Sequence, residues 1–184
     1  MLELIVIGFV VLLIAGIAVN AMQQYRERIE AERRAEIAKQ RAIIDETESV
    51  LMTSANMPVS QRLLGILYNR VLNALKIMQE QQSTSDIRQR ITDVERTVDN
   101  TSNSSAPMNS FQLPESDKLI IQYIHAVKKL RTMLRTEHNK GRVDPQCYIE
   151  EDRALENLQI KINVETLMQR GTAAMRNNMM GSAR

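Results

Sequence analysis

Few side chains in this chain have the types and spacing that chemistry needs. They are two histidines, His125 and His138, one cysteine, Cys147, and a basic run of Lys128, Arg131, Arg135, His138 and Arg142. The histidines fall several turns apart on one predicted helix, and no Cys or acidic pair stands at a metal-site spacing, so neither reads as a ligand. Cys147 sits in the first turn of a predicted helix, where the helix dipole could lower a thiol's pKa. No histidine accompanies it at a motif spacing, and it reads as a structural cysteine. The 6 glycines form no Walker loop, dinucleotide turn or Gly-x-Ser-x-Gly elbow. Nothing in the sequence argues for an enzyme, a metal or a cofactor.

The basic run is the strongest local feature. Spacings of three and four would hold Lys128, Arg131, Arg135, His138 and Arg142 on one side of a helix, with Lys129 and Lys140 nearby. Anionic lipid headgroups or nucleic acid could bind such a stripe. No aromatic residues interleave with the arginines, so bases have nothing to stack on. Glu150, Glu151, Asp152 and Glu156 on the following helix would face the stripe if the two helices close as a hairpin. Intramolecular pairing is the preferred reading, and nucleic acid is not expected as a partner.

The elements that must carry these residues begin with a membrane anchor. Leu4 to Met22 holds no charge and one polar residue, Asn20. As a helix it reaches about 28 Å at roughly 1.5 Å per residue, close to the hydrocarbon thickness of a bilayer. Val19-Asn20-Ala21 has signal-peptidase spacing, but the run is long and no basic region precedes it, so an uncleaved anchor is expected. Arg26, Arg28, Arg33, Arg34, Lys39 and Arg41 follow it. By the positive-inside rule the N-terminus lies outside and the rest is cytoplasmic, at a plasma (inner) membrane. The single cysteine agrees with a reducing compartment.

Composition points to helices. There is no Trp, with 2 Phe and 4 Tyr, while Leu, Ile, Val, Ala and Met alternate with many Glu, Arg, Gln and Lys. The net charge of +2, from 24 basic and 22 acidic residues, gives no global case for a polyanion partner. From Gln23 to Thr53 there is neither Gly nor Pro, so the anchor helix is expected to continue as a charged stalk over 23–56. Ile37, Ile44 and Leu51 repeat every seven residues in it, a candidate self-association seam for a homo-oligomer. Arg33, Gln40 and Thr47 at the complementary positions weaken that reading, and packing on the chain's own domain is preferred.

Pro58 breaks the stalk helix. Over 57–100 two helices follow. The first carries Leu63, Leu64, Leu67, Val71, Leu72, Leu75 and Met78 on one face and should be the core, with Gln61 and Asn73 outside it. The second begins at a capping-box-like Ser83-Thr84-Ser85-Asp86 and carries Ile87, Ile91, Val94 and Val98. The polar run 101–113 reads as a flexible loop. A helical hairpin is expected over 114–171. Its first helix opens at Pro114, carries Ile120, Ile124, Val127, Leu130 and Leu134 inward, and ends before Gly141. Its second starts at Asp144-Pro145, turns Leu155, Leu158, Ile162 and Leu167 inward, and ends at Gly171. A basic, Met-bearing tail covers 172–184.

The sequence therefore predicts an all-α chain: one N-terminal transmembrane helix over 1–22, a long cytoplasmic stalk, and a small antiparallel helical bundle. Its expected role is a single-pass, membrane-anchored adaptor, scaffold or accessory subunit, with the bilayer and unnamed proteins as partners. The alternative is a membrane-tethered binder of nucleic acid or anionic lipid that uses the stripe from Lys128 to Arg142.

Overall fold

The computed structural model describes residues 2–103, 114 and 116–176, with the side chains of 2–15, 102, 103 and 117 not among them. The chain forms five helices: α1 (Leu2–Ser54), α2 (Gln61–Gln81), α3 (Ser85–Asn103), α4 (Asp117–Asn139) and α5 (Pro145–Arg176). No strand occurs among the described residues. Of the polar run 101–113 expected as a loop, residues 101–103 instead close α3, and 104–113 lie outside the described residues, as does the tail beyond Arg176.

Without an interior breaker, α1 runs for 53 residues. Among the described residues no helix is long and apolar enough to cross a membrane. Of the expected span Leu4 to Met22, the side chains before Gly16 lie outside the described residues, and those from Gly16 to Met22 are exposed. The next stretch is a solvated helix with local pairs such as Arg34 to Glu30 at 3.3 Å. Gln40 is the first buried residue along it. From there the helix belongs to the bundle: Ile44 and Val50 are buried, and Ile37, Ile43 and Leu51 pack against the same core.

Local signals explain most boundaries. After Pro58, the Ser60 hydroxyl accepts from the Leu63 amide at 3.0 Å and caps α2. At the end of α4, Gly141 takes φ 71°. Its amide donates to the His138 carbonyl and that of Arg142 to the Glu137 carbonyl, a Schellman turn that only glycine enters without strain. Asp144 then caps α5 through the amides of Gln146 and Cys147, with Pro145 at the first helical position.

Four expectations need correction. The helix α4 opens at Asp117 and not Pro114, because Ser116 takes the extended geometry of an N-cap residue. The helix α3 opens at Ser85 as the break implies, but Ser83 stands two residues before it and its hydroxyl accepts two bonds from the Arg88 guanidinium in place of a helix amide. Gly171 does not end α5. One glycine inside a helix costs only about 1 kcal/mol, and the helix runs on to Arg176. Leu167 is exposed, because the inward face of α5 passes from Leu155, Leu158 and Ile162 to Thr166, one residue earlier.

The core has two parts joined by α2. One gathers Leu63 and Leu67 with the inner faces of α4 and α5, Val50 and Met57. The other sets Val71, Ala74, Leu75 and Met78 against Ile44 of α1 and Ile91 of α3. The helix chosen as core from its periodicity is thus in contact with both halves, although Gln61 and Asn73 are half-buried rather than exposed.

A buried charge cluster and the candidate binding surfaces

Along α2 the inward residues recur at Leu63, Leu67, Arg70, Val71 and Ala74, which carries an arginine into the core. On α4 the same spacing takes Val127, Leu130 and Leu134 on to Glu137. Arg70 is 7% and Glu137 2% exposed, and they meet at 2.8 Å. The Arg70 Nε also donates to the hydroxyl of Thr47 on α1 at 3.2 Å, and that hydroxyl in turn donates to the Ile43 carbonyl at 2.7 Å. One guanidinium therefore ties α1, α2 and α4 together.

Glu137 has two further partners. Its Oε1 accepts from Lys140 at 3.1 Å and its Oε2 from Arg142 at 3.0 Å. Burial pushes this carboxyl up, but the bonds from Arg142 and Lys140 and the charges of Lys140 and Arg70 outweigh it and hold the group below its ordinary range. Lys140 and Arg142 keep contact with water, so the cluster is a buried acid and arginine closed on one side by two half-exposed cations. Among the described residues no buried side-chain nitrogen or oxygen lacks a partner. A satisfied network of this kind adds little net stability over an apolar replacement, whereas loss of one partner leaves a buried charge uncompensated.

Part of the basic stripe is occupied. Arg131 makes a two-pronged bond to Asp152 at 2.8 and 2.9 Å. That bond is the main reason why the Asp152 carboxyl lies low and the Arg131 guanidinium is raised. Arg142 and Lys140 are held by Glu137, and Lys129 reaches Glu46 at 3.3 Å. His138 stacks on Tyr148 with ring centroids 4.4 Å apart. Only part of the expected facing arrangement forms. Glu150 pairs with Arg62 and Glu151 accepts from Ser60, both across to α2, because that helix's start lies against the start of α5. Lys128 and Arg135 are exposed and make no ion pair among the described residues.

The residues of the candidate seam are used within the chain. Ile44 is 2% exposed, and Ile37 and Leu51 pack against the two core clusters. Of the polar residues interleaved with them, Gln40 and Thr47 are themselves buried and satisfied, Gln40 by Glu36 at 2.6 Å. Cys147 is half-buried. Burial pushes its thiol up, Glu151 adds to this, and Arg62 only partly opposes it, so the thiol is not activated. No group of three or more His, Cys, Asp and Glu side chains that could hold a metal ion occurs among the described residues.

A groove remains beside α1. A hollow of about 420 Å³ lies between α1 and the α2–α3 turn, floored by Ile44, Leu75, Met78 and Ile87. It adjoins a second through Arg41, Asp45 and Gln82. Its rim carries both signs of charge, Arg41 and Arg90 beside Asp45 and Asp86. No protein-family model, curated protein or solved structure matches the chain.

Proposed function

We propose that this chain is a single-pass membrane protein whose helical bundle acts as an adaptor, scaffold or accessory subunit of a membrane complex, not as an enzyme. One observation carries the reading. The uncharged stretch Leu4–Met22 and the core residues Ile44 and Val50 belong to one helix. Such a helix would hold the bundle at a fixed height, with about 27 Å of helix between Met22 and Gln40 at roughly 1.5 Å per residue. Ile17, Val19 and Met22 expose large apolar surface, and Tyr25 with Arg26 and Arg28 follows directly, in keeping with a lipid-covered segment ending at a headgroup region. The six basic residues from Arg26 to Arg41 favour a cytoplasmic bundle.

The chain is expected to stay in the membrane pellet after alkaline carbonate extraction, and a chain lacking residues 2–22 is expected to leave it. A reporter fused after Arg184 is expected to behave as cytoplasmic. Release of the full chain by carbonate removes the anchor, and an exported reporter reverses the orientation.

The stripe supports the alternative less well, because Arg131, Arg142 and Lys140 are already bound by acids of the same chain. Arg131→Glu with Arg135→Glu is expected to cost about 1 kcal/mol, the scale of partly exposed ion pairs. Neither RNA nor acidic vesicles should bind measurably near physiological salt. Salt-sensitive binding that this double variant abolishes, with melting unchanged, would make the polyanion reading the better one.

A further inference from the structure

From Leu158 to Met168, α5 carries residues that face the bundle on one side and large apolar residues on the opposite side. Leu158, Ile162 and Thr166 face the bundle, while Ile160, Val164, Leu167 and Met168 are about half exposed or more. Equal steps along the antiparallel hairpin from the Arg131–Asp152 pair bring the start of α4 level with Thr166. The helix from Leu167 to Arg176 therefore runs past the described end of its partner, and Thr166 is its last buried residue.

The outer residues are ordered. Asn157, Ile160, Val164, Leu167, Gly171 and Ala174 alternate steps of three and four, the a and d positions of a heptad. Asn157 and Val164 then occupy a, and Ile160 and Leu167 occupy d. Val164 at a with Leu167 at d follows the pattern that favours two parallel strands, Ile160 at d departs from it, and one Asn at a fixes register. Charge agrees with this frame. Glu156 falls at g and Lys161 at the next e, the positions that meet between parallel chains.

We propose that this outer face of α5 pairs in parallel with the same face of a second copy of the chain, Asn157 against Asn157 and Glu156 against Lys161 of the other copy. The candidate seam on α1 cannot serve, since Ile44 and Leu51 pack within the chain. The seam is short and contains Gly171 and Ala174, so pairing is modest in strength and reversible. It stands on the heptad frame of α5 and does not depend on whether Leu4–Met22 crosses a bilayer.

The test is disulfide trapping of the full chain in lysate of the cells that express it, on a Cys147→Ala background, with copper–phenanthroline added as the oxidant of the two thiols. Ile160→Cys is expected to give a reductant-sensitive band at twice the 21.0 kDa of one chain. Adding Leu167→Glu is expected to weaken the band about tenfold or more, because a carboxylate at d must be desolvated. Leu167 is 69% exposed, so melting should hold. Glu156→Lys is expected to weaken the band, and Glu156→Lys with Lys161→Glu to restore it. Three results would overturn the proposal: no band, a band only between Ile160→Cys and Gly171→Cys chains, which is antiparallel pairing, or a trapped species whose second component is another protein.

Discussion

Glu137→Ala is expected to cost the bundle about 3–5 kcal/mol, the effect of removing one partner from a buried ion pair. The reason lies in what the substitution leaves behind. Lys140 and Arg142 can turn to water, but Arg70 is 7% exposed and would keep only the Thr47 hydroxyl and Glu46, whose carboxylate lies 4.0 Å away. Arg70→Ala should cost less, since Glu137 would retain Lys140 and Arg142. Arg70→Met with Glu137→Leu should recover much of the loss, because an apolar pair of similar size pays no desolvation. Urea unfolding of the full chain measures all three, and a Glu137→Ala cost below about 1 kcal/mol would mean that the pair behaves as a surface contact.

Acid should act through the same groups. Glu137 has a folded pKa below its unfolded one, as does Asp152 beside Arg131. Such a group adds stability that is fully present above the unfolded pKa and is lost as pH falls through the folded pKa. Stability should therefore be level near neutrality and fall below the ordinary carboxylate range. Glu137→Gln should flatten that fall as well as lower the plateau.

How much of this could be read from the sequence depended on what kind of signal each residue gives. Pro58, Gly141 and Asp144-Pro145 act on the backbone locally, so the breaks they cause were legible. Apolar periodicity likewise identified the inward faces of α2 and α4. Arg70 and Glu137 were missed because a charge in a helix reads as solvated, although each continues an apolar stripe at steps of three and four, which is the signal that could have found them. Gln40 and Thr47 misled in the same way: they seemed to spoil a seam, yet both are buried and satisfied by Glu36, Ile43 and Arg70. The helix α5 posed a different problem. With apolar residues on two sides, counting cannot say which side faces the bundle, and Leu167 lies on the outer one.

The other large effect concerns the two halves of the core. Leu67 is 0% and Leu75 1% exposed, so each alanine variant should cost about 2–5 kcal/mol, while Val71→Ala, which removes less, should cost less. The exposed Asn69 on the same helix should change stability by no more than about 0.5 kcal/mol as alanine. Leu67 packs in the part of the core shared with α4 and α5, and Leu75 in the part shared with α1 and α3. They lie about 12 Å apart along the helix, at roughly 1.5 Å per residue, far enough for independent costs to add within about 0.5 kcal/mol. Because Arg70 stands between them and binds both α1 and α4, the two halves should unfold together. Each variant is then expected to shift one transition of the full chain without changing its denaturant slope. If Leu75→Ala instead splits the transition, leaving a second step at the original midpoint, α1 and α3 form a separate unit and the charge cluster does not couple the halves. A measurement of Leu75→Ala together with Glu137→Ala separates the cases further: a split that appears only in the double variant would assign the coupling to the buried acid.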